Sequence, residues 1–397
     1  MKKKYLVWFF LSDNINQPLA THSFLINKLA ENFEKIFLIN LKNLNIILED
    51  NEKNITQFID KIDDKFDIKN NVEIFNPISK NDFESFVFEK ELNAIIINNF
   101  GTNLPSIKLL RYLKKFKIIF FEINDISNIQ IKQKLELRFL IKGIKFKLKK
   151  IYYILQFFLL SNFNLISKYE ILFCSNLKKI ENSKKKFLNF KKIVKINSKA
   201  FDILNSEKPK IKEDKIVLLD DHFGHPTSLA MRGELNEADI KLHYQYLNTF
   251  LNILSKEYNK EIVICIHPKD DLELKQKLFS NYKVLKYQTR EKIIESFIVI
   301  FFESTAIIDA ILFKKNIITV FSKFMDKSVR NASNQFKDNF KLPQIELSEN
   351  IQIDKSQLLN EFNHSKIKFE SFISNYIQID GDNFGYKKII NNLKKFF

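Results

Sequence analysis

Two stretches of the C-terminal half decide the fold class: Ile262-Val263-Ile264-Cys265-Ile266-His267-Pro268 and Phe301-Phe302-Glu303-Ser304-Thr305-Ala306. In each, an apolar run of the kind that forms a buried strand stops abruptly at polar residues. In an open parallel sheet, ligands bind in the crevice outside the carboxyl ends of the strands. The two strand ends therefore predict one ligand pocket. The second also opens a predicted helix, whose free N–H groups favour a phosphate.

Apolar runs alternate with helical patterns along most of the chain. This alternation indicates βαβ units and a parallel sheet, and the nearly continuous apolar character of the strands is typical of strands covered on both faces. Strands are predicted at residues 5–11, 35–41, 93–99, 117–123 and 171–174, and again at 216–219, 262–266, 283–286, 297–302 and 317–321. Helices are predicted at residues 21–32, 107–116, 238–258, 272–279, 290–295, 305–313, 356–376 and 386–397.

The length of 397 residues exceeds the size at which a single hydrophobic core keeps growing, so two domains are expected. The stretch 178–214 is dense in Lys, Asn and Ser and is predicted to connect them. The sequence therefore predicts an α/β fold with two Rossmann-like domains that face a cleft. The N-terminal domain would cover residues 1–177, and the C-terminal domain would cover residues 215–397, including the last helices.

The composition limits the classes of partner. Only 6 Gly and 7 Pro are present, which excludes collagen-like and broadly disordered chains. There are 64 basic and 47 acidic side chains, a formal charge of +17. Such a charge suits nucleic acid, an anionic membrane surface, or a phosphorylated and carboxylated substrate. Because no aromatic RNA-binding motif, zinc-finger spacing or basic heptad region appears, we expect no nucleic-acid partner.

The sequence also indicates a compartment. Cys174 and Cys265 lie in apolar runs without partners at metal-ligand spacing, and we expect them to be buried thiols in a reducing environment. The apolar run 5–11 stops at polar residues without a small-residue cleavage pattern, so it predicts a strand and not a signal peptide. No window reaches 18 uninterrupted apolar residues, so no transmembrane helix is expected. The predicted location is cytoplasmic, with peripheral contact at the inner membrane left open.

That membrane contact depends on residues 126–167, which are predicted to be helical, basic first and aromatic afterwards. One interpretation is a segment in the membrane interface, with cations on the headgroups and aromatic rings below them. The other is a buried helix that packs on the sheet while lysine stems extend outward. The lysines that precede the aromatic part are Lys142, Lys145, Lys147, Lys149 and Lys150.

The two strand-end motifs resemble those of bacterial GT-B transferases that use CMP-activated acidic sugars, a group that includes sialyltransferases and capsule-type Kdo or polysialic acid transferases. The resemblance covers mainly residues 215–322. It implies the GT-B architecture, with an N-terminal domain that binds the acceptor and a C-terminal domain that binds the nucleotide-sugar donor.

The resemblance also implies roles for the motif residues. His267, followed by Pro268, would contact the nucleotide phosphate and assist departure of the leaving group, and Ser304 with Thr305 would hold the phosphate. Glu303 would contact a ribose hydroxyl. An imidazolium and hydroxyls do stabilise the negative charge that grows on a departing phosphate. The alternatives are that the Ser-Thr pair is an ordinary helix N-cap and that His267 is satisfied by neighbouring backbone.

The general base is the least defined part of the predicted site. In the family, it is the first carboxylate of an acidic pair, followed by Gly, at a strand end of the N-terminal domain. The nearest match here is Glu122-Ile123-Asn124-Asp125, which lacks both the adjacent acids and the Gly. An inverting transfer needs one carboxylate within hydrogen-bond reach of the attacking hydroxyl. Glu122 and Asp125 are therefore candidates.

A rival acidic pair follows the first strand of the C-terminal domain, in Asp220-Asp221-His222-Phe223-Gly224-His225-Pro226. Asp220 and Asp221 are further candidates for the base, and His222 and Gly224 are candidates for donor positioning. No Cys or further His stands at a spacing that would complete a metal site, and the resembled enzymes generally need none. We therefore expect neither a metal nor a cofactor.

Together these features predict an inverting glycosyltransferase that moves an acidic sugar, sialic acid-like or Kdo-like, from a CMP donor to a cell-surface glycan or a lipid-linked glycan acceptor. Two alternatives stay open. The first is a CDP-polyol phosphotransferase of similar fold. Donor hydrolysis would give CMP and polyol phosphate with this enzyme, but CMP and free sugar with the glycosyltransferase. The second is a non-catalytic basic protein that binds membrane or nucleic acid with strong salt dependence.

Overall fold

The computed structural model describes residues 5–10, 14–40, 43–44, 47, 60–64, 66–90, 94–98, 104–114, 119–124, 151–166, 169–175, 190–220, 223, 237–268, 270–325, 327–378, 380–381 and 383–396. These residues form two compact units. The first holds the described residues up to 124, residues 151–203 and the chain from 375 onward. The second holds residues 204–374.

The first unit is built on a seven-stranded sheet in the order β3-β2-β1-β4-β5-β6-β7. All of its strand pairs are parallel. The strands are β1 Tyr5–Phe10, β2 Lys35–Asn40, β3 Val72–Phe75, β4 Ala94–Asn98, β5 Ile119–Asn124, β6 Tyr169–Cys174 and β7 Phe190–Lys195. The helices are α1 Asn16–Ala30, α2 Lys80–Glu89 and α3 Leu104–Leu113, and residues 151–162 are also helical. A further helix, α4 Lys199–Glu207, begins in the first unit and ends in the second.

The second unit has a six-stranded parallel sheet in the order β10-β9-β8-β11-β12-β13. Its strands are β8 Lys215–Leu219, β9 Glu261–Ile266, β10 Lys283–Lys286, β11 Ser296–Phe301, β12 Asn316–Ser322 and β13 Gln344–Leu347. Its helices are α5 Glu237–Tyr258, α6 Leu272–Leu278, α7 Thr289–Glu295, α8 Ile307–Leu312, α9 Lys327–Phe340 and α10 Lys355–Phe372. The predicted α/β class with two Rossmann-like domains is confirmed.

Apolar side chains on both faces of the central strands explain why these sheets form. In β1, Val7 and Phe9 belong to one buried cluster while Leu6 and Trp8 belong to another, so alternate residues of one strand fill two cores. In the second unit, four consecutive strand residues from Ile298 to Phe301 have no exposed surface. Central parallel strands with helices on each face require this continuous apolar character. Cys174 and Cys265 are both buried, as expected, and neither is in a disulfide.

The predicted connection, 178–214, contains structure that belongs to the first unit. Residues 190–195 form β7, which adds a seventh strand after the predicted last strand of that domain. Helix α4 follows directly. Lysines at positions 191, 192 and 195 interrupt the apolar run, so the hydrophobic pattern did not predict this strand. Such lysines are typical of an edge strand.

The end of the chain also differs from the predicted C-terminal domain. α10 continues into a π-helical turn, Ile373–Ile377, and from residue 375 onward the chain belongs to the first unit. Helix α11, Gly385–Leu393, inserts Ile389, Ile390 and Leu393 into a core that includes β1 and β2 residues. Because this apolar face is buried in the first unit, the second unit ends at about residue 374 and not at the predicted residue 397.

The region 126–167 is described only in part, because residues 125–150 lie outside the described ranges. Residues 151–162 are helical, as predicted. No helix in the described part of the chain is both long and apolar enough to cross a membrane.

Candidate functional site

The second sheet reverses its strand order between β8 and β11, and both predicted motifs lie beside this reversal. Leu219 of β8 pairs with Cys265 of β9 on one side and with Phe301 of β11 on the other. Two residues beyond that row, the flanking chains reach His267 and Glu303. Adjacent strands lie about 4.8 Å apart, so these two chain positions are on the order of 10 Å apart. A single nucleotide can bridge such a span at the carboxyl edge of the sheet, where ligands bind in open α/β sheets.

The turn that carries His267 and Pro268 is fixed at several points. The Asp270 N–H donates to the His267 carbonyl at 2.9 Å. Lys286 Nζ, on the neighbouring strand β10, donates to the Asp270 carbonyl at 2.8 Å. The Asp271 carboxylate then caps α6 by accepting from the Leu274 N–H at 2.9 Å. His267 is half-buried at the end of β9, so its backbone is held while part of its surface stays accessible.

Beneath this turn lies a buried ionic cluster made of Asp220, Lys275, Asp270 and Tyr244. The Lys275 ammonium lies 2.5 Å from Asp220 Oδ2 and 3.9 Å from Asp270 Oδ2. It also donates to Tyr244 Oη at 2.6 Å. The Asp220 and Asp270 side chains have no exposed surface. One lysine of α6 therefore ties the carboxyl end of β8 to the turn after β9.

The electrostatics of the cluster favour a permanent cation. Burial opposes the charge on Lys275, but Asp220, Tyr244 and Asp270 together outweigh it, so the pKa of Lys275 is raised. Burial and the Asp220 carboxylate raise the pKa of Tyr244, so this phenol stays protonated. Its hydroxyl donates to the Phe223 carbonyl at 3.0 Å.

The loop after β8 is anchored at the two described residues of the Asp220–Pro226 motif. Asp220 is held by Lys275, and the Phe223 ring is buried against His243, with ring centroids 4.2 Å apart. Asp221, His222 and Gly224 lie outside the described residues. Because the Asp220 carboxylate is fully buried in an ion pair, its geometry fits a positioning residue better than direct contact with substrate.

His243 of α5 lies entirely inside the second unit and contacts the end of β12. Its Nδ1 lies 2.9 Å from Ser322 Oγ, and its ring packs on Phe223 and Phe302. Burial, and secondarily the nearby Lys275 ammonium, lowers the pKa of His243 from its ordinary value of 6.5 to about 3. The imidazole is therefore neutral at physiological pH.

The Ser304-Thr305 stretch differs from its predicted form. The helix begins at Ile307 and not at Thr305, and it has only six residues. The N–H groups of Ile307, Ile308 and Asp309 donate to carbonyls three residues earlier at 3.0–3.3 Å, and that of Ala306 donates to Ser304 Oγ at 3.3 Å. The expected free N–H groups are thus already bonded. What remains for a phosphate is the side-chain hydroxyls.

The hydroxyls can fill that role. Ser304 Oγ uses an acceptor lone pair in its bond with Ala306, so its proton stays available for a phosphate oxygen. Thr305 is exposed at the same turn. Neither side chain caps α8, whose N-cap position is Ala306 without a side-chain bond. Ser304 nevertheless accepts from the N–H two residues later, as an N-cap side chain does, so this turn fits both the capping and the phosphate-binding interpretation.

Two arginines in the same unit were not predicted from the sequence. Arg290 of α7 pairs with Asp309 in the first turn of α8, with Nε 3.0 Å from Oδ2, and so joins the two helices. Arg330 of α9 donates to the carbonyl of Ser322, the last residue of β12, at 3.5 Å and to that of Lys323 at 3.2 Å. Both fix elements around the strand ends.

The structure describes the backbone of one of the two N-terminal candidates for the base. Glu122 lies within β5, opposite Ile97 of β4 and Leu172 of β6, and two residues before the strand ends. Asp125 lies outside the described residues. Among the residues that the structure describes, no group of three His, Cys, Asp or Glu side chains could hold a metal ion.

A cavity of about 640 Å³ lies elsewhere in the second unit, away from the strand ends that carry the motifs. It is lined where β13 begins and α9 ends, by Lys337, Lys341, Gln344, Glu361 and His364 among others. Its lysines and acids are mixed in sign, which gives no clear preference for one class of ligand.

Lys275, Asp270, Tyr244 and His243 were missed from the sequence for different reasons. Asp270 follows the His-Pro motif by two residues, and that adjacency was a usable signal. Lys275 is one of many lysines, so its type carries little information. Its burial depends on α6 packing over the carboxyl ends of β8 and β9, which no local pattern encodes.

Known folds resemble the chain over its whole length. A protein from Listeria monocytogenes described as a UDP-N-acetylglucosamine 2-epimerase matches with a TM-score of 0.55 and 12% identity, over 100% of this chain and 97% of that one. S. aureus MnaA with UDP matches with a TM-score of 0.52 and 10% identity, over 99% and 96%. The wall teichoic acid polymerase TagF matches with a TM-score of 0.52 and 14% identity, over 100% and 89%.

The chain has the GT-B fold. At these identities the likeness concerns the fold alone. The sequence matches no protein-family model and no curated protein.

Proposed function

We propose that this GT-B chain is an inverting glycosyltransferase that moves an acidic sugar from a CMP donor to a cell-surface glycan or lipid-linked glycan acceptor. The observation that supports it is the row of strand ends at the reversal of the second sheet, where His267 and Glu303-Ser304 flank the anchored Asp220. The donor would lie across β8, β9 and β11 at this edge.

In this proposal the phosphate of the donor contacts His267 and the hydroxyls of Ser304 and Thr305. Departure of the nucleotide increases negative charge on that phosphate. A hydrogen bond or proton from His267 stabilises this charge, and so do the two hydroxyl donors. These groups lower the barrier most when they are in position before the reaction. Pro268 limits the backbone of the turn, and Glu303 accepts from a ribose hydroxyl.

The buried cluster would act as the support for this arrangement. Lys275 holds the end of β8 and the turn that carries His267 at once. Because reacting groups must be held to within a fraction of an ångström, such support affects the chemistry without touching the donor. We therefore assign Asp220, Asp270 and Lys275 as positioning residues.

The general base in this proposal is a carboxylate that reaches the acceptor hydroxyl. Asp221, Glu122 and Asp125 are the candidates, and Asp220 is disfavoured because its carboxylate is buried against Lys275. His222 and Gly224 would shape the loop on the donor side. Replacement of the true base by its amide should abolish transfer while donor binding persists, and Asp221→Asn is the first variant to test.

A second candidate function is CDP-polyol phosphotransfer. Its support is the fold match to TagF, of which one solved form was soaked with CDPG, with a TM-score of 0.53 and 14% identity. Both candidates use a cytidine nucleotide and leave CMP. Donor hydrolysis in the absence of acceptor distinguishes them, since water then releases free sugar from the CMP-sugar and polyol phosphate from the CDP-polyol.

Nucleotide-dependent thermal stabilisation tests the donor site. CMP, CDP, UDP, GDP and ADP would each be added to the wild type, His267→Ala, Ser304→Ala and the control His364→Ala, whose ring lies exposed on α10. A ligand at 100 times its Kd adds about 2.7 kcal/mol, equivalent to a few degrees. We expect a cytidine nucleotide to stabilise the wild type and the control but neither site variant.

Other outcomes would redirect the proposal. A preference for UDP, which MnaA holds in its solved structure, would keep the fold and discard the cytidine donor. No response to any nucleotide would contradict a donor site at these motifs and favour a non-catalytic basic protein.

A further inference from the structure

The helix at residues 151–162 exposes a row of apolar side chains. Its outward face carries Ile151, Tyr152, Leu155 and Leu159, with exposed fractions of 51–60%. Phe163 and Leu165 extend the row past the helix end, at 72% and 50%. Spacings of three and four residues place the helical members on one face. We call these six residues the apolar row.

The opposite face attaches the helix to the first unit. Phe157 and Ser161 are each 2% exposed, and Phe157, Leu160 and Ile166 pack in the core that contains β1 residues. The helix ends in a turn in which the Leu165 N–H donates to the Leu160 carbonyl at 2.7 Å and Asn164 has a left-handed φ of 54°. This turn fixes Phe163 and Leu165 beside the helix. The apolar row is thus held on a folded support.

The apolar row is a concentrated surface feature. Among the described residues, 13 large hydrophobic side chains are exposed, and 6 of them belong to it although it spans 15 residues, 151–165. Residues 151–166 contain no Asp, Glu, Lys or Arg. Contiguous apolar surface without charges marks an interaction site, because single exposed hydrophobic residues are normally scattered.

The charge of the preceding sequence indicates which kind of surface the apolar row binds. The sequence immediately before the helix, residues 132–150, contains eight Lys or Arg and one Glu. A basic segment joined to an apolar helix face suits an anionic lipid surface, where cations meet headgroups and apolar side chains enter the acyl boundary. A second copy of this chain fits poorly, because each copy carries a formal charge of +17 and two such chains repel each other.

We propose that the apolar row docks the protein on the surface of an anionic bilayer. The helix lies in the interface with Phe157 directed to the protein core and the apolar row directed to the lipid. Its described part, residues 151–162, covers about 18 Å, which is less than the roughly 30 Å hydrocarbon layer. The inference is independent of which donor the second unit binds.

Vesicle co-sedimentation of the full chain tests this docking. We expect binding to phosphatidylglycerol-containing vesicles, weaker binding as salt rises, and little binding to pure phosphatidylcholine. The double variant Leu155→Glu/Leu159→Glu should lower the affinity at least about tenfold, because two apolar side chains leave the interface. The matched control is Leu359→Glu/Ile367→Glu, which adds the same charge at exposed apolar positions of α10 and should bind like the wild type.

A fluorescence reporter covers the case in which the glutamates disturb folding. Trp8 is the only tryptophan, so its replacement by Phe, which keeps an aromatic ring in the core, gives a dark background. In that background, Phe163→Trp should shift its emission to the blue on anionic vesicles, while Ile367→Trp should not.

Several results would overturn the proposal. They are equal binding by the double variant and the wild type, an equal loss in the matched control, equal binding to neutral vesicles, and a concentration-dependent dimer in place of vesicle binding. Nucleotide-dependent stabilisation of the double variant should match the wild type, so a failed donor site and a failed membrane site are distinguishable.

Discussion

At the scale of single residues, the carboxyl edge of the second sheet depends on one buried cation. Lys275 faces two carboxylates and a phenol that are withdrawn from water. A buried ion pair is costly to assemble, but it is costlier to break, because the remaining charge stays buried without compensation. The cluster therefore fixes geometry more than it adds stability.

Lys275→Met should lower the free energy of unfolding by about 3–5 kcal/mol, because it leaves the Asp220 carboxylate buried without its cation. Urea unfolding measures this. The double variant Lys275→Met/Asp220→Leu should recover part of the loss. Lys277→Met, at an exposed position of the same helix, is the control and should stay within about 0.5 kcal/mol. Equal effects of the two lysine variants would contradict a buried cluster.

His243 should make the protein sensitive to acid. Its pKa is about 3 in the folded chain against 6.5 ordinarily, so the unfolded chain binds the proton more tightly. The contribution of neutral His243 to the free energy of unfolding is therefore fully present above pH 6.5. It is lost as the pH falls toward 3, by up to about 4 kcal/mol. In His243→Asn, which keeps a polar partner for Ser322, the fall between pH 7 and 4 should be smaller. Parallel pH profiles of unfolding free energy would rule out this assignment.

At the scale of elements, the candidate site residues lie on short turns after β9 and β11, and neighbouring strands and helices hold these turns in place. The six-residue α8 bonds its first N–H groups internally, so the turn at Ser304 offers hydroxyls and not a helix terminus. On the other side, the turn after β9 is tied to β10 through Lys286. The side chains that we propose to contact the donor therefore lie on turns whose backbone is held by hydrogen bonds.

The junction between α4 and α11 holds the last helix on the first unit. The Asp202 carboxylate accepts from the Gly385 and Tyr386 N–H groups at 2.8 and 2.7 Å, and it is 3% exposed. A Cβ at Gly385 would lie 2.7 Å from the Asn197 carbonyl oxygen. Only glycine allows this approach without movement of the backbone.

Asp202→Ala should therefore release α11. Loss of two charge-assisted bonds costs on the order of 1.5–3 kcal/mol each, and Gly385→Ala should cost about 1–3 kcal/mol through the close contact. Hydrogen exchange of the α11 amides should accelerate in both variants. Glu207→Ala, an exposed acid at the end of α4, should leave exchange unchanged. Unchanged protection in Asp202→Ala would show that apolar packing alone retains the helix.

At the scale of the whole molecule, each unit has its own hydrophobic cores. Clusters that contain β1 and β2 belong to the first unit, and the cluster that contains β8, β9, β11 and β12 belongs to the second. The single tryptophan, Trp8, lies in the first unit. Its fluorescence therefore reports the unfolding of one unit, whereas circular dichroism reports both.

Denaturant unfolding should give different transitions for the two probes, because two-state behaviour is expected of single domains. A cytidine nucleotide should shift the part of the circular-dichroism transition that Trp8 fluorescence does not follow. A ligand that binds the second unit stabilises only that unit unless the units unfold together. Coincident curves that shift together with nucleotide would contradict independent units.

The central strands were predictable because burial on both faces leaves a continuous apolar run in the sequence. Strands β1, β2, β9 and β11 were predicted to within one residue at each end. The missed strands β3, β7 and β13 all lie at sheet edges. Edge strands are short or carry lysine and other polar residues, which hides the pattern.

The sequence by itself determined the α/β class, the two Rossmann-like domains and the two strand ends that carry His267 and Ser304. Strand alternation and abrupt polar ends are local features, because a residue that is buried on a central strand is itself apolar. Only the tertiary structure decided that Lys275 joins Asp220 and Asp270, that α11 returns to the first unit, and that the face of helix 151–162 stays exposed. These depend on contacts between residues far apart in the chain, and a lysine or leucine has the same identity whether its partner is a carboxylate, a core or solvent.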